Sequence, residues 1–139
     1  MVVRFYDSAD DKLIKFAVII SKSNGKWVFC KHKDRTTLEV PGGHREQGET
    51  ADEAAVRELI EETGAIDFTI APICVYSVAE TEISEESYGM LYHAEISTFA
   101  PELHSEIESV RLTDELPDNW TYPLIQPELI REAIRRAAI

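Results

Sequence analysis

The sequence predicts a single α/β domain. Three observations lead there: a length suited to one core, β-branched apolar runs broken by turn residues, and two segments with helical spacing. A chain of 139 residues is large enough to bury roughly two-thirds of its unfolded surface. Apolar residues make up 44% and charged residues 29%, a globular composition rather than that of a disordered chain.

The elements follow in order. Lys15 to Ser21 is a β-branched apolar run, Ser23-Asn24-Gly25 is a turn signal, and Trp27 to His32 is a second run, so the three form a β-hairpin. A polar connection, Asp34 to Thr37, leads into a short strand, Leu38-Glu39-Val40, which Pro41-Gly42-Gly43 stops and turns into a loop. Thr50 with Glu53 three residues later is a capping box, and Gly64 suits a C-cap, so a helix is expected from about Ala51 to Thr63. Asp67 to Ala79 and Tyr88 to Phe99 are long strand candidates separated by a solvated acidic loop, Glu80 to Glu86. A short strand is expected at Ser109 to Leu112. The chain then closes with a helix carrying Leu129, Ile130, Ala133, Ile134 and Ala137. No repeat or linker divides residues 1–139, which are expected to form one domain.

Charge narrows the partners. Acidic residues outnumber basic ones by 26 to 14, a net charge of −12, and such a field repels long nucleic acid. A small anionic substrate can still bind where divalent cations bridge it to carboxylates. Cys30 and Cys74 stand alone, without metal-site spacing, and are expected as reduced core residues. No apolar run reaches the roughly 18 to 20 residues of a membrane span, and the first residues lack a signal-peptide profile. A cytoplasmic location is expected, with monomer and homodimer both open.

The first helix carries the strongest chemical signal. At about 100° per residue, with Val56 at zero, Leu59 falls near 300°, Ile60 near 40° and Thr63 near 340°, an apolar stripe expected to face the core. Glu58, Glu61 and Glu62 fall near 200°, 140° and 240°, on the opposite face, with Arg57 near 100° at its edge. Carboxylates at that spacing repel one another, which either solvent or a bound cation relieves. Arg57, four residues before Glu61, can orient that carboxylate.

From Gly43 there are five residues to Glu49, then seven to Arg57-Glu58, followed by Leu59, Ile60, Glu61, Glu62, Thr63, Gly64 and Ala65. Residues 43–65 resemble the Nudix box. Its pattern is Gly, five residues, Glu, seven residues, Arg-Glu, a bulky aliphatic, any residue, Glu-Glu, any residue, Gly and a bulky aliphatic. All seven fixed positions match, a coincidence expected by chance in well under one chain in about 10⁴. The one departure is Ala65 at the final aliphatic position, where Ile66 beside it can fill the packing role. Leu38 to Gly43 also resembles the entry to the box in MutT-like members.

The resemblance implies the Nudix fold, a mixed β-sheet in an α/β/α sandwich, and a metal-dependent pyrophosphohydrolase. The implied ions are Mg²⁺ or Mn²⁺, held by Glu58, Glu61, Glu62 and the Gly42 carbonyl, with Glu106 as a further carboxylate before the last strand. Glu58 or Glu61 is the candidate general base, with Arg57 in support and Glu49 stabilising the loop and helix start. The implied reaction is cleavage of a pyrophosphate bond by metal-activated water. The substrate is a nucleoside diphosphate derivative, with a nucleoside triphosphate, unmodified or oxidised, favoured. A nucleotide sugar, ADP-ribose or an RNA 5′-end is the alternative, and a non-catalytic nucleotide sensor is the alternative of another class.

Candidate substrate contacts are Lys31, Lys33 and Arg35 for a phosphate or base, with Asn119 and Trp120 for a base edge and its stacking; Tyr122 is a second candidate for stacking. His44 and Arg45 are candidates to line a phosphate channel. His32 and His93 carry no partner pattern, and none of the four histidines has metal-site spacing.

Overall fold

The computed structural model describes residues 1–102, 107–136 and 138–139. Strand β1 (Val2–Tyr6) is followed by β2 (Ile14–Ser23), β3 (Lys26–His32), β4 (Gly42–His44), helix α1 (Ala51–Thr63), β5 (Ala65–Ala79), β6 (Ser87–Phe99), β7 (Ile107–Thr113) and helix α2 (Gln126–Arg135). The sheet order is β1-β5-β6-β2-β3-β7, with β4 also on β2. The β2–β6 pair is parallel and the others are antiparallel, so the sheet is mixed.

Asn24 and Gly25 both take positive φ, 50° and 79°, which gives the β2–β3 turn the twist that a two-residue hairpin needs. The hairpin opens at once. Only Lys22↔Trp27 and Ser23↔Lys26 pair, and the strands then diverge around a wedge. Residues 38–44 fill that wedge. Glu39 bridges to Cys30 on β3, and β4 pairs with the lower half of β2 through Phe16↔His44, Ala17↔Gly43 and Val18↔Gly42. Pro41-Gly42-Gly43 therefore continues the pairing from β3 onto β2, where the sequence suggests a loop.

Alternation along β2 sends Ala17 and Ile19 to one face of the sheet and Ile20 to the other. The first face packs under α1 with Val28, Ala54, Ala55, Leu59, Tyr92 and Ile96. The second packs under α2 with Phe29, Leu91, Leu129, Ile130 and Ala133. Helices on both faces give the α/β/α sandwich. Cys30 and Cys74 are free and buried in it. Among the described residues, no helix is long and apolar enough to cross a membrane.

Helix α1 has the expected limits. The Thr50 hydroxyl accepts from the Glu53 N–H while the Glu53 carboxylate accepts from the Thr50 N–H, and Gly64 closes the helix at φ 72°. Its orientation differs from the expectation, because Ile60 is 46% exposed while Ala51, Ala54, Ala55, Leu59, Glu62 and Thr63 are buried. The small alanines let the helix approach the sheet along their own arc. The packed face is thereby turned toward Glu58 and Glu62.

Other differences lie outside this helix. Ile134 is 51% exposed on α2, and Ala137 lies outside the described residues. β1, whose Val2, Val3, Phe5 and Tyr6 favour a strand, pairs with β5 at the sheet edge. Within the acidic loop, Glu86 is not simply solvated. Its carboxylate accepts from Tyr6, Ser77 and Tyr88 hydroxyls and pairs with Arg4, and these donors hold its pKa down at about 2.

Candidate metal and substrate site

The wedge brings the glycine pair against α1. Ile19 N–H donates to the Pro41 carbonyl at 2.9 Å, so by the alternation of an antiparallel ladder Val18 and Gly42 form a non-hydrogen-bonded pair. Both peptide groups of Gly42 then turn away from β2 toward the helix. Its N–H donates to Glu62 Oε1 at 2.6 Å, and its carbonyl opens on the same side. A Cβ at Gly42 would come within 2.7 Å of the Ala17 carbonyl oxygen, and one at Gly43 within 2.5 Å of Glu58 Oε1. The two glycines thus let strand, peptide and carboxylates close together.

Glu62 is 8% exposed. Burial, with the charges of Glu58, Glu39 and Glu61 added, pushes its pKa up to about 8 against the stabilising Gly42 N–H. Among the described residues, no lysine or arginine pairs with it. Glu58 is half-buried, and burial raises its pKa against the opposing pull of Arg57. Glu61 is exposed.

Arg57 ties the site to its loop. Its Nε and Nη2 grip the two Glu49 oxygens at 2.6 and 3.0 Å, its Nη1 donates to Glu58 at 2.9 Å and Glu61 at 3.3 Å, and Nη2 also donates to the His44 carbonyl at 3.0 Å. The bidentate bond holds the Glu49 carboxyl down at about 2 and raises Arg57 further. Glu49 also accepts from the Glu46 N–H, fixing the loop before the helix. Arg45 anchors the same loop through Asp11 and the Glu49 carbonyl.

No sequence spacing links His32 to a partner, whereas the fold supplies two. Its Nε2 lies 2.7 Å from Glu39 Oε1 and 3.2 Å from Glu62 Oε2. Among the described residues, these side chains form the group whose ligand atoms lie within 4.8 Å of one another.

Beside the glycines is a cavity of about 270 Å³, walled by Phe16, Val18, Val40, Tyr76, Val78 and Leu129 and edged by polar Glu39, His44, Tyr122 and Gln126. Gln126 Oε1 accepts the Val40 N–H at 2.9 Å.

A family model described as the NUDIX domain matches residues 11–133. The chain belongs to the Nudix family. A Bacillus subtilis (strain 168) protein described as an 8-oxo-dGTP diphosphatase, YtkD, is 35% identical over 106 residues, 76% of this chain and 65% of that protein. A second protein of that description from the same organism is 41% identical over 61 residues, 44% of this chain and 40% of its own length. The matches thus span less than two-thirds of either relative. A crystal structure of a variant of the Bacillus subtilis pyrophosphohydrolase BsRppH superposes with a TM-score of 0.80 at 26% identity, covering 98% of this chain and 89% of that one.

Within this Nudix fold, Gly42, Arg57, Glu58 and Glu62 come together, with Glu61 at the exposed rim. Glu106 lies outside the described residues. The five expected substrate contacts lie elsewhere than the cavity wall. Lys31 pairs with Glu108 at 2.8 Å, Lys33 is exposed, and Arg35 donates to Glu39 at 2.8 Å. Asn119 donates to the Thr36 carbonyl, and Trp120 stacks edge-on against Phe29. Tyr76, Gln126, His32 and Glu39 are what sequence reading misses. Among the candidate site residues it raises, Gly42, His44 and Tyr122 line the cavity.

Proposed function

We propose that residues 1–139 form one Nudix domain that hydrolyses the pyrophosphate bond of a nucleoside diphosphate derivative, with a nucleoside triphosphate, unmodified or oxidised, as the favoured substrate. The observation that carries this reading is the inward turn of α1, which sets Glu58 and Glu62 against the Gly42-Gly43 peptide with, among the described residues, no arginine or lysine paired to Glu62. A buried carboxylate left in that state needs a cation or a proton. Carboxylate oxygens with a backbone carbonyl suit Mg²⁺ or Mn²⁺, so the donor set fits the divalent ions that Nudix proteins generally use. Glu58, Glu61, Glu62 and the Gly42 carbonyl would hold them.

Bound there, such ions supply charge neutralisation on the phosphate oxygens and a more acidic water. The chain does the rest. Arg57 and Glu49 hold Glu58 and the loop in place, and Glu58 or Glu61 is the candidate proton acceptor. The cavity places an apolar and aromatic wall beside the carboxylates, as a nucleobase requires. Val40 fixes Gln126 Oε1, which leaves the Gln126 amide NH₂ for the acceptor edge of a base. The names of the Bacillus subtilis relatives support an oxidised purine triphosphate as the first substrate to try.

The test is phosphate and pyrophosphate release from unmodified and oxidised nucleoside triphosphates, ADP-ribose, nucleotide sugars and 5′-triphosphorylated RNA with Mg²⁺. Wild type is compared with Glu61→Gln and Glu62→Gln. Turnover on one class that disappears in the variants supports the reading. Tight nucleotide binding without turnover on any of them would replace it with a sensor.

A further inference from the structure

His32 at the end of β3, Glu39 in the wedge and Glu62 in the last turn of α1 meet through the fold alone. All four carboxylate oxygens are engaged. His32 Nε2 faces Glu39 Oε1 at 2.7 Å and Glu62 Oε2 at 3.2 Å, Arg35 Nη1 donates to Glu39 Oε2 at 2.8 Å, and the Gly42 N–H donates to Glu62 Oε1 at 2.6 Å. Glu39 is 6% and Glu62 8% exposed, so the two carboxylates would repel at close range without the group between them.

Both separations lie within ion-pair range, so the imidazole stands between the two carboxylates. The imidazole is thus held as the ion-pair partner shared by Glu39 and Glu62. Arg35 backs Glu39, Glu39 orients the imidazole, and the imidazole restrains the second oxygen of Glu62.

We propose that His32 is a positioning residue: by bridging Glu39 and Glu62 it fixes the Glu62 carboxylate, with the Gly42 N–H, in the orientation that presents it to a divalent ion. This rests on the reading of Glu62 as a metal ligand given under Proposed function. Outer partners of metal ligands act in this way by removing the freedom of the ligand to rotate away.

The experiment is calorimetric titration of Mg²⁺ and Mn²⁺ into wild type, His32→Ala, His32→Gln and Glu39→Gln, with the thermal midpoint of each. Cation affinity should fall about 10-fold or more in His32→Ala at an unchanged number of ions. His32→Gln, which keeps an amide donor, should recover most of the loss, and Glu39→Gln should weaken binding in the same direction. Unchanged affinity would overturn the proposal. So would tighter binding in His32→Ala, which is the sign expected of a group that acts only through its positive charge. Loss of one bound ion would also overturn it, by making His32 a ligand. If His32→Ala does not fold, the ordering of wild type, His32→Gln and Glu39→Gln decides. A wild type that binds the ions but cleaves no pyrophosphate substrate would defeat the functional reading, while the affinities would still settle the role of His32.

Discussion

Helices α1 and α2 each bury one glutamate to the same 8% exposure, Glu62 and Glu132, yet the two carboxylates are treated in opposite ways. Glu132 sits under its own counter-ions. Arg135 reaches it through Nε at 2.8 Å and Nη2 at 2.5 Å, Arg136 adds Nε at 2.8 Å, and the pair holds its carboxyl down at about 2. Glu62 lies deeper, between helix and strand, among Glu58, Glu39 and Glu61, and is pushed up to about 8. The difference separates a carboxylate paired by arginines of its own helix end from one that no lysine or arginine pairs among the described residues. Surface exposure alone cannot tell them apart; the neighbours do.

The largest effect expected from breaking this contrast is on Glu62. Glu62→Gln should reduce kcat on the order of 10²- to 10³-fold. It should leave the metal-free thermal midpoint equal or higher, because it removes a buried carboxylate that no lysine or arginine pairs among the described residues. A parallel loss of activity and stability would make Glu62 structural.

The two groups should also divide the pH dependence of stability. Glu62, raised from 4.5 to about 8, favours the folded state below its unfolded pKa, and that contribution is lost as pH rises between them. Metal-free wild type should therefore lose roughly a few kcal/mol relative to Glu62→Gln from pH 5 to 8. Glu132, lowered to about 2, has the opposite sign: its contribution is present above pH 4.5 and is lost as pH falls toward 2. Denaturant melts across pH on wild type and both glutamine variants check each slope.

A smaller effect is expected at Arg57. Arg57→Lys keeps the charge but cannot make the two-pronged bond to Glu49 while also reaching Glu58, and should lower kcat roughly 10-fold with little change in KM. A rise in KM alone would move Arg57 to substrate binding. The smallest is Glu132→Gln, expected to cost about 1 kcal/mol of stability, since Arg135 is largely exposed, and to leave kcat unchanged.

Local signals made much of the fold legible. The capping box and terminal glycine set the limits of α1, Asn24-Gly25 set the hairpin turn, and the spacing from Gly43 to Gly64 set the family. The facing of α1 was harder to read, because weight placed on Ile60 concealed the arc of Ala51, Ala54 and Ala55 that packs more closely. The wedge was invisible for a different reason. It depends on β2 and β3 parting after two pairs, which no local pattern encodes, and it alone joins His32, Glu39 and Glu62. The cavity residues Tyr76 and Gln126 come from different elements, so no local pattern in the sequence groups them.

The most direct measurement is Mg²⁺ binding, by calorimetry at neutral pH, to wild type, Glu62→Gln and Glu132→Gln. Wild type and Glu132→Gln should bind alike, and Glu62→Gln should bind at least about 10-fold more weakly. Equal affinity in Glu62→Gln would contradict the assignment of that buried carboxylate to a cation.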